Sequence, residues 1–134
     1  MESHRVIIAG SRGITLTPSA IHDIMWQAGY HYDREHAEKH NLNHMRAVVS
    51  GNARGIDRSG EDFAQFYGVP YEILAANWER YGRAAGPIRN KQMADIADTL
   101  ILIWDGKSTG SGSMKSIMLG LGKPVYEVVF KGWS

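Results

Sequence analysis

The apolar positions of this chain fall into two patterns that alternate from end to end. Val6-Ile7-Ile8-Ala9, Ala47-Val48-Val49 and Leu100-Ile101-Leu102-Ile103 are continuous runs without the polar alternation of a half-exposed strand. They predict strands buried on both faces, at residues 5–9, 47–49 and 99–104. Two further runs, at 69–74 and 125–130, bring the expected strands to five. Between the strands the apolar spacing changes to three and four, as on one face of a helix. Ile21, Ile24, Met25 and Ala28 form one such stripe, and Phe63, Ala64 and Tyr67 a second. Met93 with Ile96, and Met114, Ile117, Met118 with Leu121, form two more. Thr17-Pro18 is a start signal, a capping hydroxyl before a proline suited to the first helical position. The expected helices therefore run over 18–29, from about 59 to Gly68, from 87 or 88 onward, and after 113 up to Gly122-Lys123-Pro124.

Strands alternating with helices specify an α/β fold: a Rossmann-like, three-layer domain with a five-stranded parallel sheet. Right-handed crossovers give the strand order 3-2-1-4-5, and residues 1–134 read as one domain. Residues 30–46 fit neither pattern and read as an irregular insert holding His31, His36, His40 and His44, four of the six histidines. On one helix the last three would share a stripe able to hold zinc or nickel. A solvated helical extension beside Glu35, Glu38 and Lys39 is the simpler reading, and no metal is expected.

Composition narrows the function classes. A net charge of +1 argues against a broad nucleic-acid or membrane surface, so any basic site must be local. The absence of cysteine excludes disulfides, thiolate nucleophiles and thiolate metal sites. The longest apolar run falls far short of the roughly 20 residues a spanning helix needs, so no membrane association is expected. Met1-Glu2-Ser3-His4-Arg5 leads directly into a strand with no room for a signal peptide, which makes a cytoplasmic location the expectation.

Strand order 3-2-1-4-5 places the switch point between the first and fourth strands, where open α/β sheets bind ligands. Three polar turns should meet there. The first is Gly10-Ser11-Arg12; the second is Ser50-Gly51-Asn52-Ala53-Arg54-Gly55-Ile56-Asp57; the third runs from Asp105 through Gly106, Lys107, Ser108, Thr109, Gly110 and Ser111 to Ser113. Glycine turns that open helices present free N–H groups and the positive end of the helix dipole, which suits phosphate. Arg12, Arg54, Arg89 and Lys107 supply positive charge. The expected ligand is a nucleotide or a nucleotide-derived molecule, as ligand or substrate, with no separate cofactor. Two familiar nucleotide motifs are excluded. The upstream glycine that would make Gly106-Lys107-Ser108 a P-loop is Ile101, and Gly10-Ser11-Arg12-Gly13 is not GxGxxG. The acid–base candidates are Asp57, Glu61, Asp105 and Asp62, with helix capping the alternative role for Asp57 and turn-holding that for Asp105. Trp78 and Tyr81 are placed to stack on a base or to pack over the sheet edge.

Residues 50–57 resemble the SGxARGID motif of the DNA-processing protein A family, whose Rossmann-like domain binds single-stranded DNA. The chain as a whole is similar to the small YspA/YpsA-related proteins of the SLOG superfamily. The likeness is carried by Ala76-x-Trp78, by Tyr81-Gly82-x-Ala84-Ala85-Gly86-Pro87-x-Arg89-Asn90-x-x-Met93-Ala94-Asp95, and by Trp104-Asp105-Gly106-Lys107-Ser108-x-Gly110-Ser111. The resemblance implies nucleotide binding, a homo-oligomer and a ligand contact at Asn90. Arg89-Asn90-x-x-Met93 also resembles the RKxxM helix start of the cytokinin-activating phosphoribohydrolases, which implies a ligand-contacting or catalytic role for Arg89. Their PGGxGTxxE turn is altered here: the glutamate position falls at Met114 or near Gly112. An N-glycosidic or phosphoribosyl hydrolase built on this chain would have to use Asp105, Asp57 or Glu61 instead. Single-stranded DNA binding is the remaining alternative, weakened by the near-zero net charge.

Overall fold

A computed structural model describes residues 3–33 and 42–130. The strands are β1 (Ser3–Gly10), β2 (Tyr32–Asp33), β3 (Asn43–Ser50), β4 (Tyr71–Ile73), β5 (Thr99–Trp104) and β6 (Val125–Val129). The helices are α1 (Pro18–Gln27), α2 (Ile56–Tyr67), the single turn α3 (Trp78–Tyr81), α4 (Ala85–Ile96) and α5 (Thr109–Gly120). All strand pairings are parallel, and β3, β1, β5 and β6 lie in that order. The outer edge of β3 is shared by β2 at its start and β4 at its end. For the five expected strands this is the order 3-2-1-4-5, with the two-residue β2 added.

The continuous apolar runs divide between two cores by strand alternation. Val6, Ile8, Val48, Ile101 and Ile103 face one side, where Ile21 and Met25 of α1 and Phe63 and Ala64 of α2 cover them. Ile7, Ala9, Val49, Leu100 and Leu102 face the other, against Met93 and Ala94 of α4 and Met114 and Met118 of α5. Every residue of β5 is buried. With large aliphatic side chains contributing roughly 1.5–3 kcal/mol each on full burial, this central strand is a main anchor of the fold. No described helix is long and apolar enough to cross a membrane.

Several boundaries differ from expectation, each for a local reason. α2 begins at Ile56 rather than near 59, because Gly55 turns the chain at φ +81° directly into the helix. α4 begins at Ala85, two residues before Pro87; proline is tolerated there because the first-turn N–H groups have no helical partner anyway. β3 begins at Asn43, inside the segment expected to be irregular, where its polar residues pair with the start of β1. A polar strand end of that kind carries no hydrophobic signal. The long connection expected after the third strand holds the α3 turn and a 3-10 turn over Gly82–Ala84.

Close packing of α2 on β1 depends on Gly60, where a Cβ would stand 2.8 Å from Ile8 Cβ. Gly60→Ala should destabilise the protein by about 1–3 kcal/mol despite alanine's better helix propensity. Gly120→Ala, with open space around its Cβ, should be neutral or stabilising by up to about 1 kcal/mol. Urea unfolding of both variants tests this; equal effects would mean that the Gly60 contact relaxes freely.

Candidate functional site

β1, β3 and β5 end side by side, so the turns leaving them share one end of the sheet. Their meeting point is Ser11. Its N–H donates to the Ile103 carbonyl at 3.1 Å, and its own carbonyl accepts the Ile56 N–H at 3.2 Å. Its hydroxyl oxygen accepts the Asp105 N–H at 2.9 Å and lies 3.2 Å from Ser108 Oγ. Two glycines permit this approach. A Cβ at Gly10 would fall on the Ile103 carbonyl oxygen, and one at Gly55 on the carbonyls of Ser11 and Arg12. Backbone, rather than ligand, fills the room these glycines leave. Gly110 differs, since it borders the cleft and nothing lies within 4 Å of the position its Cβ would take.

The second turn is braced from within. The fully buried Ser50 hydroxyl donates to Glu61 Oε2 at 2.6 Å and accepts the Asn52 N–H at 3.0 Å. Asn52 holds a left-handed φ of +59°, and its amide nitrogen, turned toward Glu61, lies 3.0 and 3.2 Å from the two carboxylate oxygens. Asp57 stands in the first turn of α2, where its Oδ2 accepts the Ala53 N–H at 3.3 Å; no side chain caps that helix. Arg89 reaches over from α4 and donates from Nη1 to the Gly51 carbonyl at 2.6 Å and from Nε to Asn90 Oδ1 at 3.0 Å. Asn90 in turn donates to the Gly110 carbonyl at 3.3 Å, which ties α4 to the start of α5. Burial pushes the Asp57 carboxyl up to about 6, against the pull of the Ala53 N–H and the Arg89 charge. Burial also lowers the Arg89 guanidinium, and the neighbouring Arg12 adds to that effect while Asp57 opposes it.

In the third turn Asp105 Oδ1 accepts three donors: the Lys107 N–H at 2.8 Å, the Ser108 N–H at 2.9 Å and the Ser108 hydroxyl at 3.0 Å. These bonds, the Lys107 N–H foremost, hold its carboxyl below the usual range even though it is exposed. Asp105 therefore shapes the entry to α5. No side chain caps α5, so the N–H groups of Thr109, Gly110 and Ser111 at its start have no helical partner.

These turns border a cleft of about 1020 Å³. Gly10, Ser11 and Arg12 line it together with residues 105–111, to which Ser11 is joined. Asp57, Arg89 and Asn90 also border it, and Met93, Met114 and Phe130 supply apolar surface. A second groove of about 320 Å³ adjoins it through the shared residues Arg12, Ala53 and Arg89. Gly51, Asn52, Arg54 and Trp78 lie on this groove and not on the larger cleft. The 50–57 turn is thus divided: only Ala53 and Asp57 face the main cleft, whereas Ser50 and Gly55 line neither space. Glu61 and Tyr81 also stand outside both.

Arg58, Met93, Met114 and Phe130 are lining residues that residue-type reasoning did not single out as site residues. Met93 had a signal of a kind, one helical turn beyond Arg89, but methionines at helical spacing read as core. His44 is in a strand, β3, so it does not join His36 and His40 on one helix. His31 stacks on Trp26 with ring centroids 4.6 Å apart. His36 and His40 lie outside the described residues, among which no cluster of three metal-binding side chains occurs.

Asp57 makes folding stability pH-dependent in a definite direction. Its carboxyl protonates near pH 6 when folded and near 3.8 when unfolded, so between these values the native state binds more protons. Its contribution to stability therefore falls as pH rises through that window. Asp57→Asn removes the slope. Denaturant titrations from about pH 4 to 7 should show the unsubstituted protein losing on the order of 3 kcal/mol relative to the variant. Parallel profiles would place the carboxyl in an ordinary environment.

Comparison of the chain with protein-family models, with curated proteins and with solved structures returns no match, so the functional reading rests on the site's own geometry.

Proposed function

We propose that the chain binds a nucleotide or nucleotide-derived ligand in the switch-point cleft, with a phosphate seated at the start of α5. The observation that carries this reading is the convergence of unpartnered N–H groups, hydroxyls and cations on one volume. The first N–H groups of α5, the hydroxyls of Thr109 and Ser111, and the charges of Arg12, Arg89 and Lys107 all border it. Phosphate oxygens accept from such donors, and the helix dipole adds to the attraction. Met93, Met114 and Phe130 offer the apolar surface that a base or ribose needs, and about 1020 Å³ accommodates a whole nucleotide. The SLOG resemblance in the 50–57 and 85–111 stretches agrees with this reading, as does an α/β sheet with the expected strand order.

A hydrolytic reading has one observation in its favour. Asp57 is buried, borders the cleft, and has its carboxyl raised to about 6, which suits a general acid or base. Asp105 is poorer for that task, because its hydrogen bonds favour the ionised form. Glu61 is committed to Ser50 and Asn52.

Nucleotides such as AMP or ADP-ribose should raise the melting temperature of the pure protein. Arg89→Ala should weaken their binding by about tenfold or more, measured by calorimetry. Loss of all nucleotide-induced stabilisation would sink the binding reading. Incubation with AMP, NAD and ADP-ribose tests hydrolysis: released base that disappears in Asp57→Asn would make the protein an enzyme, and no release would leave it a binder.

A further inference from the structure

The smaller groove beside the main cleft has an unusual charge balance. Four arginines line it, Arg12, Arg54, Arg58 and Arg89, and no carboxylate does. Among the described residues the ion pairs lie elsewhere, at Arg5–Glu72 and Lys115–Glu127, and none of the four arginines has a carboxylate within ion-pair distance. Arg89 is hydrogen-bonded to the Gly51 carbonyl and to Asn90. Arg12 stands close enough to act against the Arg89 charge. Asp57, on the main cleft, acts on the Arg89 charge, but four guanidiniums on one groove leave an excess of positive charge, and an anion placed among them relieves their repulsion. The four arginines converge on a concave space of about 320 Å³. The exposed indole of Trp78 lines the same groove.

From this placement we infer that the groove is a second anion subsite, so that the preferred ligand carries a diphosphate rather than a single phosphate. This inference rests on the nucleotide reading of the main cleft and names the class of nucleotide. Arg12, Ala53 and Arg89 border both spaces, so a ligand in one continues into the other without leaving protein surface. One phosphate sits at the start of α5, and the next passes between Arg12 and Arg89 toward Arg54 and Arg58. A group attached beyond the second phosphate, a sugar or a second base, meets the face of Trp78.

Calorimetric titrations with AMP, ADP, ADP-ribose and inorganic pyrophosphate test the inference, using the unsubstituted protein and an Arg54→Gln/Arg58→Gln double variant. Both arginines are exposed, so the variant should fold normally, which circular dichroism checks. ADP should bind at least about tenfold tighter than AMP. The double variant should weaken ADP and pyrophosphate by about tenfold or more and change AMP by less than about twofold. Trp78→Ala should weaken ADP-ribose more than ADP. Equal affinities for AMP and ADP, or equal losses for both in the double variant, would overturn the subsite. If no nucleoside binds but pyrophosphate binds in an Arg54- and Arg58-dependent way, the nucleotide reading falls and the anion subsite stands. If pyrophosphate binding is absent or indifferent to these arginines, the subsite falls. A thymidine oligonucleotide that displaces pyrophosphate at lower concentration than ADP does would overturn the diphosphate assignment in favour of a nucleic-acid backbone.

Discussion

Ser11 is the residue on which the site depends. Its N–H, carbonyl and hydroxyl are all engaged, with β5, the start of α2 and the entry to α5 respectively. Three turns from three strands are thereby joined through one short side chain and its backbone. The joint requires an approach of main chain to main chain that a Cβ at Gly10 or Gly55 would obstruct. Burying the serine leaves none of its polar groups unpaired, so the contact satisfies the demand that interior donors and acceptors find partners.

That joint changes the meaning of the glycines. Glycine-rich turns at strand ends suggest backbone opened toward phosphate, and Gly110 at the start of α5 fits that description. Gly10, Gly51 and Gly55 instead make room for protein atoms: a carbonyl of β5, the Arg89 guanidinium and the Ser11 turn. Part of the glycine signal is therefore assembly of the site rather than contact with what it holds. Ser50 belongs to the same class, since its hydroxyl is spent on Glu61 and the Asn52 N–H.

The electrostatics follow from the same crowding. Arg89 is drawn across the 50–57 turn to the Gly51 carbonyl, which brings its charge near Asp57 and Arg12 at once. Asp57 is the buried carboxylate facing this set of cations, and burial outweighs their attraction and raises its carboxyl. The cleft consequently combines bordering cations with a carboxyl raised to about 6.

The sequence by itself determined the layers and their order. Continuous β-branched runs can be satisfied only by strands covered on both faces, and helical spacing between them leaves right-handed parallel crossovers as the way to connect them. It also determined that polar, glycine-bearing turns follow the first, second and fourth of the expected strands, because those residues interrupt the apolar pattern. The extent of β3 beyond its apolar half was not legible, since Asn43 and His44 pair through backbone and leave no periodic trace. Nor was the division of the site into a cleft and an arginine groove. Arg12, Arg54, Arg58 and Arg89 come from three separate stretches, and the packing of α2 and α4 against the sheet brings them to one surface. The expected strand order already brought Arg12, Arg54 and Arg89 to the switch point. Arg58 beside them, and the sharing of Arg12 and Arg89 between cleft and groove, depend on distances that exist only once the Ser11 joint and the Arg89 bridge have closed the turns together.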